Sequence, residues 1–182
     1  MKITPANLRI LLRYDPETGK LFWNKREATM FAATPRRTPE HVCANWNSQF
    51  AGKEALTSTT SHGYRSGRIF RKTFSAHRVI WAIQTGAWPS EIDHINGDPS
   101  DNRWVNLRIA TRSENTRNRG IPVSNNSGVK GVSQRRRDTK WRAHISHLGK
   151  QIHLGYFNCR TAAAFAYARA SREFHGDFGR LS

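Results

Sequence analysis

Asp93 and His94 stand side by side in the segment Glu91-Ile-Asp-His-Ile-Asn-Gly-Asp98, and two asparagines follow at 106 and 115. Asp93 supplies a hard anionic oxygen and Asn115 a neutral one, a pair suited to Mg²⁺, with Mn²⁺ as the substitute. Water and a substrate phosphate would complete the shell. A neutral imidazole is a good base near pH 7, so His94 can take the proton of an attacking water. Neighbouring side chains on a strand face opposite ways, which keeps His94 off the ion held by Asp93. Asn106 is placed to hydrogen-bond His94 and hold its ring. The ion would polarise a phosphate and stabilise the leaving oxygen, so the chemistry this set could do is metal-assisted attack of water on a phosphate.

These residues need elements to position them. Ile92 to His94 reads as a short strand entering a polar loop, and Leu107–Ala110 as the returning strand. Thr111-Arg-Ser-Glu114 is a capping box at a helix start. The strand–loop–strand–helix product brings Asp93 and Asn115 together across 22 positions. A calcium loop is excluded, because placing Gly97 at its sixth position puts Ile92 at its first. His-Glu-x-x-His and the Gly-rich phosphate loop are absent.

Upstream, Thr4-Pro5 opens a short capped helix through Ile10, Leu11 and Leu12. Asp15–Gly19 is a turn, and Lys20–Lys25 a strand. Residues 26–48, broken by Pro35 and Pro39, read as irregular and exposed. Short strands are expected near Phe50–Leu56 and Tyr64–Phe70. Ser75 then caps a helix through Val79, Ile80, Trp81 and Ile83 to Gly86. On that helix His77 reads first as structural and second as a phosphate contact. Arg103, Arg108 and Arg112 are further phosphate candidates.

The Gly/Pro/Ser/Asn-rich run at 120–128 marks a boundary. Beyond it come three strand-like runs, 131–137, 140–147 and 151–157, and an Ala-rich helix from Cys159 to Phe174 with Asn158 as its N-cap. Alternation turns Trp141, Ala143, Ile145, Ile152 and Leu154 inward. The opposite face is polar, basic and without aromatics. It suits a major groove better than stacking on single-stranded RNA.

The formal net charge is +17 on 182 residues, with a pI near 11.2. Residues 1–120 carry 19 Lys and Arg against 10 Asp and Glu, and residues 121–182 carry 11 against 3. Both halves therefore face a polyanion. No apolar run approaches the roughly 18 residues of a membrane span, and the first residues do not read as a signal peptide. Cys43 and Cys159 lie far apart, which excludes a disulfide scaffold and a Cys-based zinc knuckle. Neither structural zinc nor a small-molecule cofactor is expected, and a reducing cytoplasm fits.

Residues 77–118 resemble the HNH nuclease superfamily, in the His-Asn-Asn form of phage and intron-encoded homing endonucleases. The resemblance rests on His77-Arg-Val, Asp93-His94-Ile-Asn-Gly-Asp, Asp101-Asn102-Arg, Asn106-Leu107-Arg108, and Thr111 with Glu114-Asn115. It implies one divalent ion on Asp93 and Asn115, His94 as general base, and Asn106 positioning the histidine or the phosphate. Residues 126–180 resemble the plant APETALA/ethylene-response-factor DNA-binding domain through Lys130-Gly-Val, Lys140-Trp-Arg-Ala, His153-Leu-Gly-Tyr-Phe and Ala162-Ala-Ala-Phe-Ala-Tyr. With the alternation of the strands, it gives a DNA-facing set of Lys130, Ser133, Arg135, Arg137, Lys140, Arg142, His144, Ser146, Gln151 and His153.

The expected fold class is α+β. A ββα-metal nuclease unit with N-terminal antiparallel strands occupies residues 1–120, its core at about 75–119. A linker at 121–127 leads to a three-stranded antiparallel sheet packed on one helix at 128–182. The expected function is a homing-type endonuclease or nickase acting on double-stranded DNA, away from membranes, in the cytoplasm of a bacterial or phage-infected cell. A DNA-binding regulator with a decayed nuclease unit and a phage packaging accessory nuclease are the alternatives. The oligomeric state is left open.

Overall fold

The computed structural model describes residues 3–122, 124–134 and 139–181, and the chain forms two compact units, residues 1–109 and 110–182. The first begins with helix α1, Pro5–Leu11. Thr4 caps it through a 3.2 Å bond from the Asn7 N–H, and Pro5 sits in its first turn, where a missing N–H costs nothing. Strands β1 (Leu12–Asp15), β2 (Lys20–Trp23) and β3 (Glu54–Ala55) form an antiparallel sheet. A second sheet holds β4 (Ser58–Thr59), β5 (Arg65–Ile69) and β6 (Lys72–Ser75). Helix α3, Ala76–Thr85, follows. Leu8, Leu11, Leu21, Ile69, Val79, Ile80, Ile92 and Leu107 meet in one core.

Between β2 and β3 the structure corrects the sequence reading. Helix α2, Pro39–Phe50, occupies much of the segment expected to be irregular, and it reduces the strand expected at 50–56 to two residues. Thr38 caps it and Pro39 starts it. One anchor holds it in place of an apolar stripe. Trp46 lies edge-on to Trp23 at 5.8 Å, and the Arg26 guanidinium sits 3.7 Å from its ring centroid. Asn47 pins the Arg26 backbone with two bonds of 2.9 Å.

Strands β7 (Ile92–His94) and β8 (Leu107–Ile109) pair antiparallel. Helix α4, Arg112–Arg117, starts on the expected capping box between Thr111 and Glu114. It belongs to the second unit, where the Lys130 ammonium donates to the carbonyls of Arg117 (2.5 Å) and Arg119 (2.7 Å) beyond the helix end. Strands β9 (Val132–Gln134), β10 (Trp141–His147) and β11 (Lys150–Phe157) form an antiparallel sheet in the order β11-β10-β9. Helix α5, Arg160–His175, lays Ala163, Tyr167 and Ala170 over Val132, Ala143 and Ile145. Its N-cap is Cys159, one residue after the expected Asn158. Among the described residues no helix is long and apolar enough to cross a membrane.

Candidate functional site

Strand β7 is buried at all three residues. Asp93 stands directly across the ladder from Arg108, whose Nε and Nη2 lie 2.8 and 2.7 Å from Asp93 Oδ2. His94 points the other way. Its ring packs against His77 edge to face at 5.2 Å and against Tyr64 at 5.8 Å.

The loop after β7 locks the imidazole. His94 Nε2 donates to Asn102 Oδ1 at 3.1 Å. An amide oxygen only accepts, so this bond places the proton on Nε2 and leaves Nδ1 as the basic nitrogen. The N-terminal sheet holds Asn102 in turn, because Tyr14 Oη donates to the Asn102 carbonyl at 2.8 Å. Gly19 adopts φ +72°, and an added Cβ there would stand 2.6 Å from the Asn102–Arg103 backbone. Only glycine allows that approach.

Asn106 does not reach the His94 ring, contrary to expectation. Its Oδ1 accepts from the Asn96 N–H (2.9 Å), and its Nδ2 donates to Asn96 Oδ1 (3.0 Å) and the Asp101 carbonyl (2.7 Å). Asn106 thus shapes the loop that carries Asn102. Asn102 lay inside the sequence motif, yet nothing local marked it as the partner of a histidine eight residues earlier. Asn102→Ala is expected to slow single-turnover cleavage about ten- to a hundredfold by loosening His94, with DNA affinity unchanged in the same preparation.

Burial pushes His77 down to about 3, with the neighbouring His94 adding to the shift. The buried His77 ring is therefore held neutral, so it would offer a phosphate a hydrogen bond and no positive charge. Its Nδ1 is buried without a hydrogen bond among the described residues. Burial also lowers His94, while the Asn102 bond and Asp93 oppose the shift. Two arginines expected on phosphate are engaged with carboxylates. Arg103 forks onto Asp101 at 2.8 and 2.6 Å and holds its carboxyl down at about 2. Arg108 is drawn to Asp93 because the two are cross-strand partners. Arg112 is exposed at the start of α4. Asn115 lies one turn into α4. Asp93 and Asn115 fall in different units, so their pairing rests on the motif.

In the second unit Ser133, Lys140, Ser146, Gln151 and His153 are exposed, and Arg142 and His144 are half-buried. Arg142 Nη2 donates to Gln151 Oε1 across β10 and β11 at 2.8 Å. Arg135 and Arg137 lie outside the described residues. Two expectations change. Lys130 is tied to the end of α4 and does not join the exposed basic set. The face is also not devoid of aromatics, for Tyr156 is 60% exposed and its ring meets His153 at 4.8 Å. The register explains it. Ala143 pairs with Gly155 but His144 with His153, so Leu154 is an extra residue. This bulge, at Gly155 with φ +129°, reverses the alternation that would have buried Tyr156. Lys140→Ala is expected to reduce the salt slope of DNA binding by about 0.9. Lys130→Ala should leave the slope unchanged and lower the melting temperature; equal slopes for both variants would refute the distinction.

Residues 74–117, the stretch that holds α3, β7, β8 and α4, match the HNH endonuclease family. The chain is 36% identical over 119 residues to Protein 3.8 of Escherichia phage T7, covering 64% of this chain and 98% of that protein. It belongs to the same family as that phage protein. A separate likeness is to plant proteins: 46% identity over 55 residues to APETALA2-like protein 2 of Oryza sativa subsp. japonica and to the AP2-like ethylene-responsive transcription factor TOE2 of Arabidopsis thaliana. Each match covers 30% of this chain, but 13% and 11% of those proteins. No solved structure is a significant match. Together the nuclease and plant likenesses point to DNA as the partner.

Proposed function

We propose that the protein is a homing-type HNH endonuclease, encoded by a phage or mobile element, that cuts or nicks double-stranded DNA. Residues 1–120 would form the catalytic part, in the ββα-metal arrangement, and 128–182 the DNA-reading part, joined through 121–127. The observation that carries this reading is the geometry around His94, a buried imidazole beside a carboxylate with Nε2 held by Asn102. His94 Nδ1 takes a proton from the attacking water, the water oxygen bonds to phosphorus, and the P–O3′ bond breaks, the departing O3′ taking up a proton from solvent water. The products are a 5′-phosphate and a 3′-hydroxyl.

A divalent ion suits the residues present. Among the described residues no three His, Cys, Asp or Glu side chains form a cage. One carboxylate oxygen from Asp93 and one amide oxygen from Asn115 match the habit of Mg²⁺, which retains waters and binds substrate phosphate. When bound, such an ion supplies charge neutralisation at the scissile phosphate and its leaving oxygen. The exposed strands of the C-terminal sheet would hold the duplex, and the work would take place in the cytoplasm of the bacterial or phage-infected cell.

The test is nicking of supercoiled plasmid by the full chain with Mg²⁺ or Mn²⁺, followed by labelling of the product ends. Open-circle or linear DNA with 5′-phosphate ends is the expected result. The second reading, a DNA-binding regulator with a decayed site, draws on the Arg108–Asp93 ion pair, which places a cation on Asp93 Oδ2 without a metal. Tight DNA binding with no cleavage in any divalent ion would establish that reading and overturn the first.

A further inference from the structure

Tyr64 was not singled out by motif or spacing, yet the fold delivers it to the proposed base. It follows a tight turn in which Thr60 N–H donates to the Tyr64 carbonyl (2.9 Å), Gly63 N–H to the Thr60 carbonyl (2.9 Å), and Tyr64 N–H to Thr60 Oγ1 (3.1 Å). Gly63 holds φ +83°, and a Cβ there would stand 2.9 Å from Pro99 Cγ. The turn is thus seated on the loop that runs from His94 to Asn102. The Tyr64 ring lies 5.1 Å from His77 and 5.8 Å from His94. The tyrosine is half-buried. Its hydroxyl makes no hydrogen bond among the described residues and is not among the buried polar atoms that lack one. It therefore reaches solvent.

We propose that the Tyr64 hydroxyl contacts the substrate, donating a hydrogen bond to a non-bridging oxygen of the DNA phosphate presented to His94. This rests on the nuclease reading above. A phosphorus placed for attack by water beside His94 brings its non-bridging oxygens to the wall that Tyr64 forms. The nearby cations are engaged, Arg103 with Asp101 and Arg108 with Asp93. A neutral O–H is then the donor at hand, and a bond from it to an anionic oxygen is of the strong, charge-assisted kind.

Tyr64→Phe isolates the contact, because it keeps the ring against His77 and His94 and removes a hydroxyl that holds nothing in the fold. Tyr64→Ala serves as the packing control. Single-turnover nicking, DNA affinity by fluorescence anisotropy and the melting temperature are measured on the full chain. The expected result for Tyr64→Phe is a cleavage rate about ten- to a hundredfold lower, with weaker DNA binding and an unchanged melting temperature. A phenylalanine variant that cuts and binds as the wild type does, with only the alanine variant impaired, reduces Tyr64 to packing and overturns the proposal. If the wild type cuts nothing, the nuclease reading fails by itself and affinity decides Tyr64. A loss of affinity in Tyr64→Phe upholds the phosphate contact, and equal affinity removes it.

Discussion

His94→Ala is expected to lower the single-turnover cleavage rate roughly 10²- to 10⁴-fold, the usual contribution of a positioned general base. DNA affinity should stay near that of the wild type. The variant also leaves the Asn102 amide without its partner and opens space beside His77 and Tyr64. His94→Gln, which retains a hydrogen-bonding group, separates lost catalysis from lost packing. If the imidazole is the base, both variants are equally slow while the glutamine variant melts higher. Asp93→Ala should abolish cleavage in Mg²⁺ and remove the carboxylate that Arg108 faces across the ladder, so Asp93→Asn is the better-folded companion. The pH profile adds an independent check. Burial lowers His94 from its ordinary 6.5, and only the neutral ring accepts a proton. The rate should therefore rise with pH through a midpoint below 6.5 and then level off. A His94→Ala enzyme that cuts at the wild-type rate removes His94 from the chemistry.

What could be read from the sequence was what local rules dictate. Thr4-Pro5, the turn at Asp15–Gly19 and the Thr111–Glu114 capping box each satisfy backbone groups within a few residues, so composition alone announces them. The β7–β8 pair was legible because a short run with apolar residues enters a polar loop at His94 and another leaves it at Leu107. The same logic missed α2, which hangs on Trp46 and on an arginine twenty positions earlier in the chain. It gave the hold on His94 to Asn106, because spacing cannot say which of two asparagines a folded loop turns inward. It hid Tyr156, since one extra residue at a bulge inverts every later side chain. It passed over Tyr64, whose meaning depends on where the Gly63 turn settles against Pro99. Arg103 and Arg108 were basic residues in a basic protein, and only the ladder and the loop show that each already faces a carboxylate. The candidate site was thus legible as a set of residue types, while the contacts that tune it are tertiary.

Gly131→Ala is expected to unfold the C-terminal sheet, and Gly128→Ala provides the measure of how much of that loss is steric. Both glycines hold φ +67°, so an alanine at either incurs the same left-handed penalty, about 1–2 kcal/mol. Their surroundings differ. A Cβ at Gly128 meets nothing within 4 Å, whereas one at Gly131 would lie 2.3 Å from two ring carbons of Tyr167 and 2.4 Å from the His144 carbonyl oxygen. Neither neighbour can yield. Tyr167 is buried in the α5 interface, and the His144 backbone lies in β10 with its N–H bonded to the Gly131 carbonyl at 2.9 Å. Overpacking of this kind adds about 1–3 kcal/mol or more. For a unit of this size each kcal/mol moves the melting temperature by about 4–8 °C. The Gly131 variant should therefore melt on the order of 10–40 °C lower and lose DNA affinity at 37 °C, while the Gly128 variant shifts by a little under half of that. Equal shifts for the two variants would mean that the sheet and α5 separate easily at Tyr167, and that Gly131 is needed only for its backbone angle.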